Sequence, residues 1–235
     1  MPARCCATIS ALNARRNGVA NGAPLMATAK PFAAAGVCGV LHTPDAPADR
    51  GMVLTHGAGG DCTAPLLVAL AEAFCAAGFH VLRCDLPFRQ RRPTGPPSPS
   101  GAAADREGLR LAVAEMRRLV PGRVVMGGQS YGGRQATMLA AEMPELVDAL
   151  LLTSYPLHPP GKPERLRAEH FPRLALPCIF VSGTSDPFGS IPELRQAIAA
   201  IPGPTELIAI DGAGHDLKRG RFDLKPVLAA ISCVV

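Results

Sequence analysis

Short apolar runs alternate with stretches of helical periodicity along most of the chain, from about residue 36 onward. Apolar runs bounded by glycine, proline or aspartate are typical of buried strands, and apolar positions at intervals of three and four are typical of helices. This alternation predicts a mostly parallel central sheet flanked by helices on both faces, which is an α/β architecture. The predicted strands are 36–42, 51–54, 80–83, 123–126, 149–152, 178–181 and 207–210. The predicted helices are 64–77, 105–119, 134–142, 192–200 and 225–231.

Two longer segments contain too much proline for a helix or a central strand. Residues 89–101 hold three arginines followed by Pro93, Pro96, Pro97 and Pro99, which predicts a surface loop. Residues 155–172 form a second proline-rich connection. Neither segment is long enough for a separate lid domain. We expect both loops to shape the mouth of any site at the carboxyl edge of the sheet.

The chain has 235 residues, which fits one α/β domain, predicted here to span residues 31–235. Residues 1–30 are predicted to be a disordered extension, although translation starting at Met26 is an open alternative. Asn13, Arg15, Arg16 and Asn17 interrupt any apolar core of a signal peptide there. The sequence also lacks an uncharged apolar run of about 18 residues, so no membrane partner is predicted.

Hydrophobic residues make up 48% of the chain and charged residues 18%, a composition that excludes global disorder. The formal charge of +5 comes from arginines that are scattered, apart from Arg89, Arg91 and Arg92, and no aromatic residues interleave with them. The sequence therefore predicts no nucleic-acid partner. The eight cysteines form no C-x-x-C pair and lie mostly in apolar runs, which predicts reduced thiols in a cytoplasmic protein. No H-E-x-x-H motif or His/Asp cluster predicts a metal.

The motif that carries the strongest chemical signal is Gly-Gln-Ser-Tyr-Gly at residues 128–132, placed between a predicted strand and a predicted helix. A nucleophile on a sharp strand-to-helix turn needs small residues two positions away on either side, and Gly128 and Gly132 supply them. The turn also places the Ser130 hydroxyl at a helix N-terminus. The alternative is an ordinary glycine-rich turn in which Ser130 caps the helix.

A serine nucleophile needs a general base that a carboxylate orients, and both partners can be sought after Ser130 in the chain. His215 lies in a glycine-containing loop just past the last predicted strand, at the carboxyl edge of the sheet. Asp186 lies in the loop after the preceding strand. The rival carboxylates are Asp148, which precedes its strand, and two that are too close to His215 in sequence, Asp211 and Asp216.

A tetrahedral intermediate needs two backbone N–H donors. We predict that Tyr131 supplies one and that Ala58, in the glycine-rich loop 56–60, supplies the other, with Gly59 as second choice. That loop matches neither G-x-x-x-x-G-K-[ST] nor G-x-G-x-x-G, so no nucleotide cofactor, and no cofactor of any kind, is predicted. His158, in the second proline-rich segment, is expected either to contact substrate or to pack within its loop.

These residues resemble the α/β-hydrolase superfamily, and within it a compact, lidless group that is similar to dienelactone hydrolase. This group includes a testis-expressed vertebrate protein and a subunit of the nuclear non-specific-lethal acetyltransferase complex. The resemblance covers residues 36–232 and is carried by segments 55–60, 86–92, 127–134, 155–161 and 183–189. It implies a serine hydrolase scaffold, with Ser130 where dienelactone hydrolase has cysteine. Since some relatives are interaction subunits, it also implies that turnover is not guaranteed.

Three functions are compatible with these residues. The favoured one is a serine hydrolase that acts on a small-molecule ester or thioester, with Ser130, His215 and Asp186 as catalytic residues and Ala58 and Tyr131 as oxyanion donors. The second is a non-catalytic interaction module on the same fold. The third is a serine peptidase or amidase, although this chain has no room for the propeller or cap domain common among such peptidases.

Overall fold

A computed structural model describes residues 28–235 of the chain. Its strands are β1 (Thr28–Ala34), β2 (Val37–Thr43), β3 (Arg50–Thr55), β4 (Phe79–Asp85), β5 (Val124–Gln129), β6 (Ala149–Thr153), β7 (Cys178–Gly183) and β8 (Thr205–Ile210). They form one eight-stranded sheet in the order β1-β2-β4-β3-β5-β6-β7-β8. The pairs β1–β2 and β2–β4 are antiparallel, and all later pairs are parallel. The predicted mostly parallel sheet is confirmed.

The helices are α1 (Pro65–Ala76), α2 (Pro87–Arg91), α3 (Ala102–Leu119), α4 (Tyr131–Glu142), α5 (Ile191–Ile198) and α6 (Lys225–Ser232). Short 3-10 segments occur at Pro99–Gly101, Phe171–Arg173 and Leu217–Gly220. No helix within residues 28–235 combines the length and apolar character that a bilayer crossing requires.

The core consists of two apolar clusters, one on each face of the sheet. Helices α3, α4 and α5 cover the first cluster, and α1 and α6 cover the second. The strand side chains divide between them with a period of two: Leu150 and Leu152 of β6 enter the first cluster, whereas Leu151 enters the second. Burial on both faces explains why the central strands are continuous apolar runs. The predicted two-sided coverage is confirmed.

The predicted surface loop at 89–101 needs correction, because α2 runs through its first three residues and a 3-10 turn forms its end. Both segments begin with a proline, Pro87 and Pro99, at the first helical position. Proline is tolerated there since that N–H has no intrahelical partner. The next helix is also longer than predicted, since it begins at Ala102 rather than at residue 105.

Strand β1 was absent from the prediction because Pro31 and its partly exposed pattern do not look like a central strand. It is an edge strand that pairs only with β2 among the described residues, where a missing N–H is tolerated. The predicted extension 1–30 lies outside the described residues, except for its last three residues, which belong to β1.

Candidate active site

Ser130 lies on a sharp turn between β5 and α4. Its backbone angles are φ 51° and ψ −115°, a conformation that is strained for a residue with a side chain. A Cβ atom added to Gly128 would lie 2.6 Å from the Thr55 carbonyl oxygen, and one added to Gly132 would lie 2.6 Å from the His56 carbonyl oxygen. The backbone at the end of β3 therefore passes so close to the turn that only glycine fits on either side of Ser130.

The structure brings the three predicted polar side chains into one hydrogen-bonded chain. The distance between Ser130 Oγ and His215 Nε2 is 2.8 Å, and His215 Nδ1 lies 2.8 and 2.9 Å from the two oxygens of Asp186. An ionised carboxylate only accepts hydrogen bonds, so Nδ1 carries the proton and Nε2 accepts from the serine hydroxyl. This arrangement suits proton transfer from Ser130 to His215.

Neighbouring strands place the histidine and the aspartate. Asp186 follows β7 and His215 follows β8, and these strands are parallel, so both loops emerge at the carboxyl edge of the sheet. The Asp186 side chain is almost fully buried and accepts a hydrogen bond from the Phe188 N–H at 2.9 Å. The Phe188 ring stacks on the His215 ring with centroids 4.1 Å apart. Asp186 thus holds the His215 imidazole at Nδ1, and the Phe188 ring covers one of its faces.

The rival carboxylates face other partners. Asp148 accepts from Arg117 and from the Val124 N–H, both at 2.8 Å, and Asp216 accepts from the Lys218 N–H at 3.1 Å. Asp211 lies 3.4 Å from the Thr184 hydroxyl. Asp186 is therefore the carboxylate that contacts His215 among the described residues.

A cleft of about 330 Å³ opens beside this chain of hydrogen bonds. Its lining consists of Ser130, His215 and six neighbours: Gly57, Ala58, Gly59, Gly60, Gln129 and Phe188. Both residues predicted as the second oxyanion donor therefore face the cleft. Tyr131 is the first residue of α4, where a backbone N–H has no intrahelical acceptor. Within residues 28–235, no three His, Cys, Asp or Glu side chains converge to hold a metal.

His56, whose role was not predicted, orients the cleft loop 56–60. Its buried ring accepts a hydrogen bond from the Leu86 N–H at Nε2 (3.1 Å), so Nδ1 carries the proton and donates to the Gly57 carbonyl at 2.8 Å. Burial lowers the pKa of His56, which favours this neutral form. In a trans peptide the C=O and N–H point in opposite directions, so holding the Gly57 oxygen sets the direction of the Ala58 N–H. The sequence signal was a His-Gly pair directly after a buried strand.

Asp105 is a second residue that sequence reasoning missed, since the pattern indicated only that a helix starts there. It is fully buried and accepts from the Phe88 N–H at 2.9 Å and from the Tyr131 hydroxyl at 2.8 Å. These bonds join α2 and α3 to the first residue of α4, directly behind Ser130. The Tyr131 hydroxyl is thus held by Asp105, and Tyr131 is not among the residues that line the cleft.

His158 lies in its loop and is not part of the cleft lining. It is buried, its N–H donates to the Phe188 carbonyl at 3.0 Å, and its Nδ1 lies 2.9 Å from the Pro159 carbonyl. Of the two expectations for this histidine, packing within the loop agrees with these contacts. Through Phe188 it supports the ring that stacks on His215.

Comparison with known proteins agrees with this fold. A family model described as an alpha/beta hydrolase domain matches residues 48–225. The chain is similar in structure to TT1662 from Thermus thermophilus, with 21% identity, a TM-score of 0.70, and coverage of 89% of this chain and 98% of that one.

Two further solved structures share the architecture at low identity. Dienelactone hydrolase from Anabaena variabilis has 21% identity and a TM-score of 0.63, over 89% of this chain and 95% of that one. XC6422 from Xanthomonas campestris, a serine hydrolase without a lid, has 16% identity and a TM-score of 0.65, over 90% and 94%. Because the family model covers most of the sheet and the whole nucleophile turn, the chain belongs to the alpha/beta hydrolase domain family.

Proposed function

We propose that this protein is a serine hydrolase that cleaves small carboxylic esters or thioesters through an acyl-enzyme on Ser130. The observation that carries the proposal is the continuous hydrogen-bonded chain from Ser130 Oγ through His215 to Asp186, which opens on a cleft. An isolated serine is a poor nucleophile at neutral pH, and this arrangement supplies the base and the orienting carboxylate that activate it.

In the first half of the reaction, Ser130 Oγ attacks the substrate carbonyl carbon while its proton moves to His215 Nε2. The C=O π electrons move to the oxygen, and the amides of Ala58 and Tyr131 bind the resulting oxyanion. When the tetrahedral intermediate collapses, the bond to the leaving alcohol or thiol breaks. His215 donates its proton to that oxygen or sulfur, and the acyl group stays on Ser130.

In the second half, a water molecule replaces the leaving group. His215 accepts a proton from the water as it attacks the acyl carbonyl, and the oxyanion forms in the same place. Collapse releases the carboxylic acid and returns the proton to Ser130. Asp186 stays ionised throughout and stabilises the imidazolium, which its position against Nδ1 allows.

The cleft favours a small, uncharged acyl group. Its volume of about 330 Å³ is near the lower end for small-molecule sites, and its lining contains no Lys, Arg, Asp or Glu. Phe188 is the one large apolar side chain in that lining. Two structural relatives are named for hydrolysis, one as dienelactone hydrolase and one as a lidless serine hydrolase, which is in keeping with this substrate class.

The test is a panel of p-nitrophenyl esters from acetate to octanoate, with an acetyl thioester beside them. We expect the purified protein to hydrolyse the short-chain substrates with burst or steady turnover, and Ser130→Ala to lose that turnover. Ser232→Ala, an exposed serine at the end of α6, serves as the matched control and should behave like wild type. Absence of turnover on the whole panel, or equal rates for wild type and Ser130→Ala, would reject the proposal.

A further inference from the structure

Arg89 differs from the other arginines of its segment. Its side chain is 6% exposed, whereas Arg91 and Arg92 lie at the surface. The guanidinium carbon lies 4.9 Å from the centre of the Phe88 ring. A buried guanidinium retains its charge and needs acceptors for its N–H groups. Its partners therefore indicate what it does.

Those partners are four backbone carbonyls in two different segments. Nε donates to the Gly60 oxygen at 2.8 Å and Nη2 to the Ala58 oxygen at 2.9 Å, both in the cleft loop 56–60. Nη1 lies 3.3 Å from the Arg92 oxygen and Nη2 lies 3.2 Å from the Gly95 oxygen, both in the proline-rich segment. One planar group thus joins the loop that faces Ser130 to a segment outside the cleft.

The cleft loop 56–60 contains few side chains that can pack to hold it in place. Three of its five residues are glycines, and a Cβ atom at Gly59 would meet nothing within 4 Å. Glycine loses the most conformational freedom on ordering, so side-chain packing alone does not fix this loop. Hydrogen bonds must do so: His56 and the Gly60 N–H donate to the Gly57 carbonyl, and Arg89 donates to the carbonyls of Ala58 and Gly60.

Peptide geometry connects Arg89 to the amides that face the cleft. Because the peptide is planar and trans, fixing the Ala58 carbonyl toward Arg89 directs the Gly59 N–H the opposite way. The positive charge of Arg89, next to the Ala58 oxygen, also polarises this peptide and makes the Gly59 N–H a stronger hydrogen-bond donor. His56 therefore holds the Gly57–Ala58 peptide, and Arg89 holds the Ala58–Gly59 peptide.

We propose that Arg89 is a positioning residue that fixes the Ala58–Gly59 peptide, so that the Gly59 N–H binds the oxyanion beside the amides of Ala58 and Tyr131. Arg89 also makes the proline-rich segment part of the site's support. The proposal rests on the proposed serine-hydrolase function. Arg89 is not part of the cleft lining and acts through the Ala58–Gly59 peptide, while its bond to the Gly60 carbonyl anchors the end of the loop.

The direct test is Arg89→Lys, which keeps the charge and the aliphatic stem but cannot present the planar fork that reaches four carbonyls. We expect kcat to fall about 100-fold, as when one oxyanion donor is lost, with KM changed by less than about threefold. Arg91→Lys, on the same short helix but exposed, is the matched control and should retain wild-type kcat. Circular dichroism and the unfolding midpoint establish that each variant is folded.

A boronic acid inhibitor gives a second readout, because its tetrahedral adduct with serine uses the same amides as the oxyanion. Its affinity, measured by calorimetry, should weaken in Arg89→Lys by the same factor as kcat/KM. For a variant that truncates the side chain, Arg89→Ala, guanidinium ion added to the assay should restore part of kcat, and methylammonium should not. If Arg89 were merely structural, Arg89→Lys would bind the boronic acid as tightly as wild type does. Guanidinium ion would then not restore the kcat of Arg89→Ala.

Three outcomes overturn the proposal, and they lead to two conclusions that can be told apart. If wild type and Arg89→Lys hydrolyse esters and bind the boronic acid equally well, the positioning role is wrong and the hydrolase function stands. A rise in KM alone, with kcat unchanged, has the same meaning. If wild type neither hydrolyses any ester nor binds the boronic acid, the hydrolase function fails and the role of Arg89 fails with it.

Discussion

Replacing His215 by alanine is expected to lower kcat for the best ester of the panel by about 10⁶-fold, with KM nearly unchanged. The Ser130 hydroxyl has His215 Nε2 as its partner at 2.8 Å, so its proton has no acceptor once the imidazole is removed. Initial rates with substrate in excess measure the loss, and the substrate still fits because the cleft lining otherwise remains.

The companion change is Asp186→Asn, which should cost about 10⁴-fold, less than the loss of the imidazole. An amide in place of the carboxylate no longer fixes the Nδ1–H form of His215. His80→Gln is the control, because His80 pairs with Gly51 at the amino end of β4, away from the carboxyl edge. Retention of more than about 1% of the wild-type kcat in His215→Ala would contradict the assigned base.

Replacing Gly128 by alanine is expected to lower the free energy of unfolding by about 3 kcal/mol, which corresponds to a fall in Tm of roughly 10 °C for a chain of this size. The added Cβ would lie 2.6 Å from the Thr55 carbonyl oxygen and 3.0 Å from the Gly132 carbonyl carbon. Both neighbours are backbone atoms, one in the adjacent strand β3 and one in α4, so neither can yield without moving an element.

Urea unfolding monitored by circular dichroism measures this effect. Gly59→Ala is the matched control, because a Cβ at Gly59 meets nothing within 4 Å, and we expect its stability to change by less than about 0.5 kcal/mol. Equal stability of the two variants would mean that the turn around Ser130 has room for a methyl group, contrary to these distances.

The central strands were predictable because both of their faces are buried. The run predicted at 149–152 corresponds to β6 at Ala149–Thr153, and the run at 178–181 to β7 at Cys178–Gly183. The positions of Ser130, Asp186 and His215 were also readable. Ser130 and Asp186 follow the buried strands β5 and β7, His215 follows the edge strand β8, and parallel strands end at one edge. Local motif and chain order were enough to single out these three residues.

Arg89 and Asp105, which support the loops around Ser130, could not be predicted in this way. Arg89 contacts carbonyls 29 and 31 positions earlier, and Asp105 contacts a backbone N–H 17 positions before it and a hydroxyl 26 positions after it. No periodicity or motif encodes such contacts, because they exist only once the loops are packed. Arg89 in particular stood within a proline-rich segment whose composition indicated only a surface loop.

The central claim is that folding makes Ser130 a nucleophile, and labelling by a fluorophosphonate tests it most directly. In that reaction a bond forms between Ser130 Oγ and phosphorus, the P–F bond breaks, and fluoride leaves while the proton passes to His215. Mass spectrometry of the native protein should show one adduct per chain, mapped to Ser130, with none in Ser130→Ala or in heat-denatured wild type. An unlabelled wild type, or labelling that is equally fast in Ser130→Ala, would contradict the account.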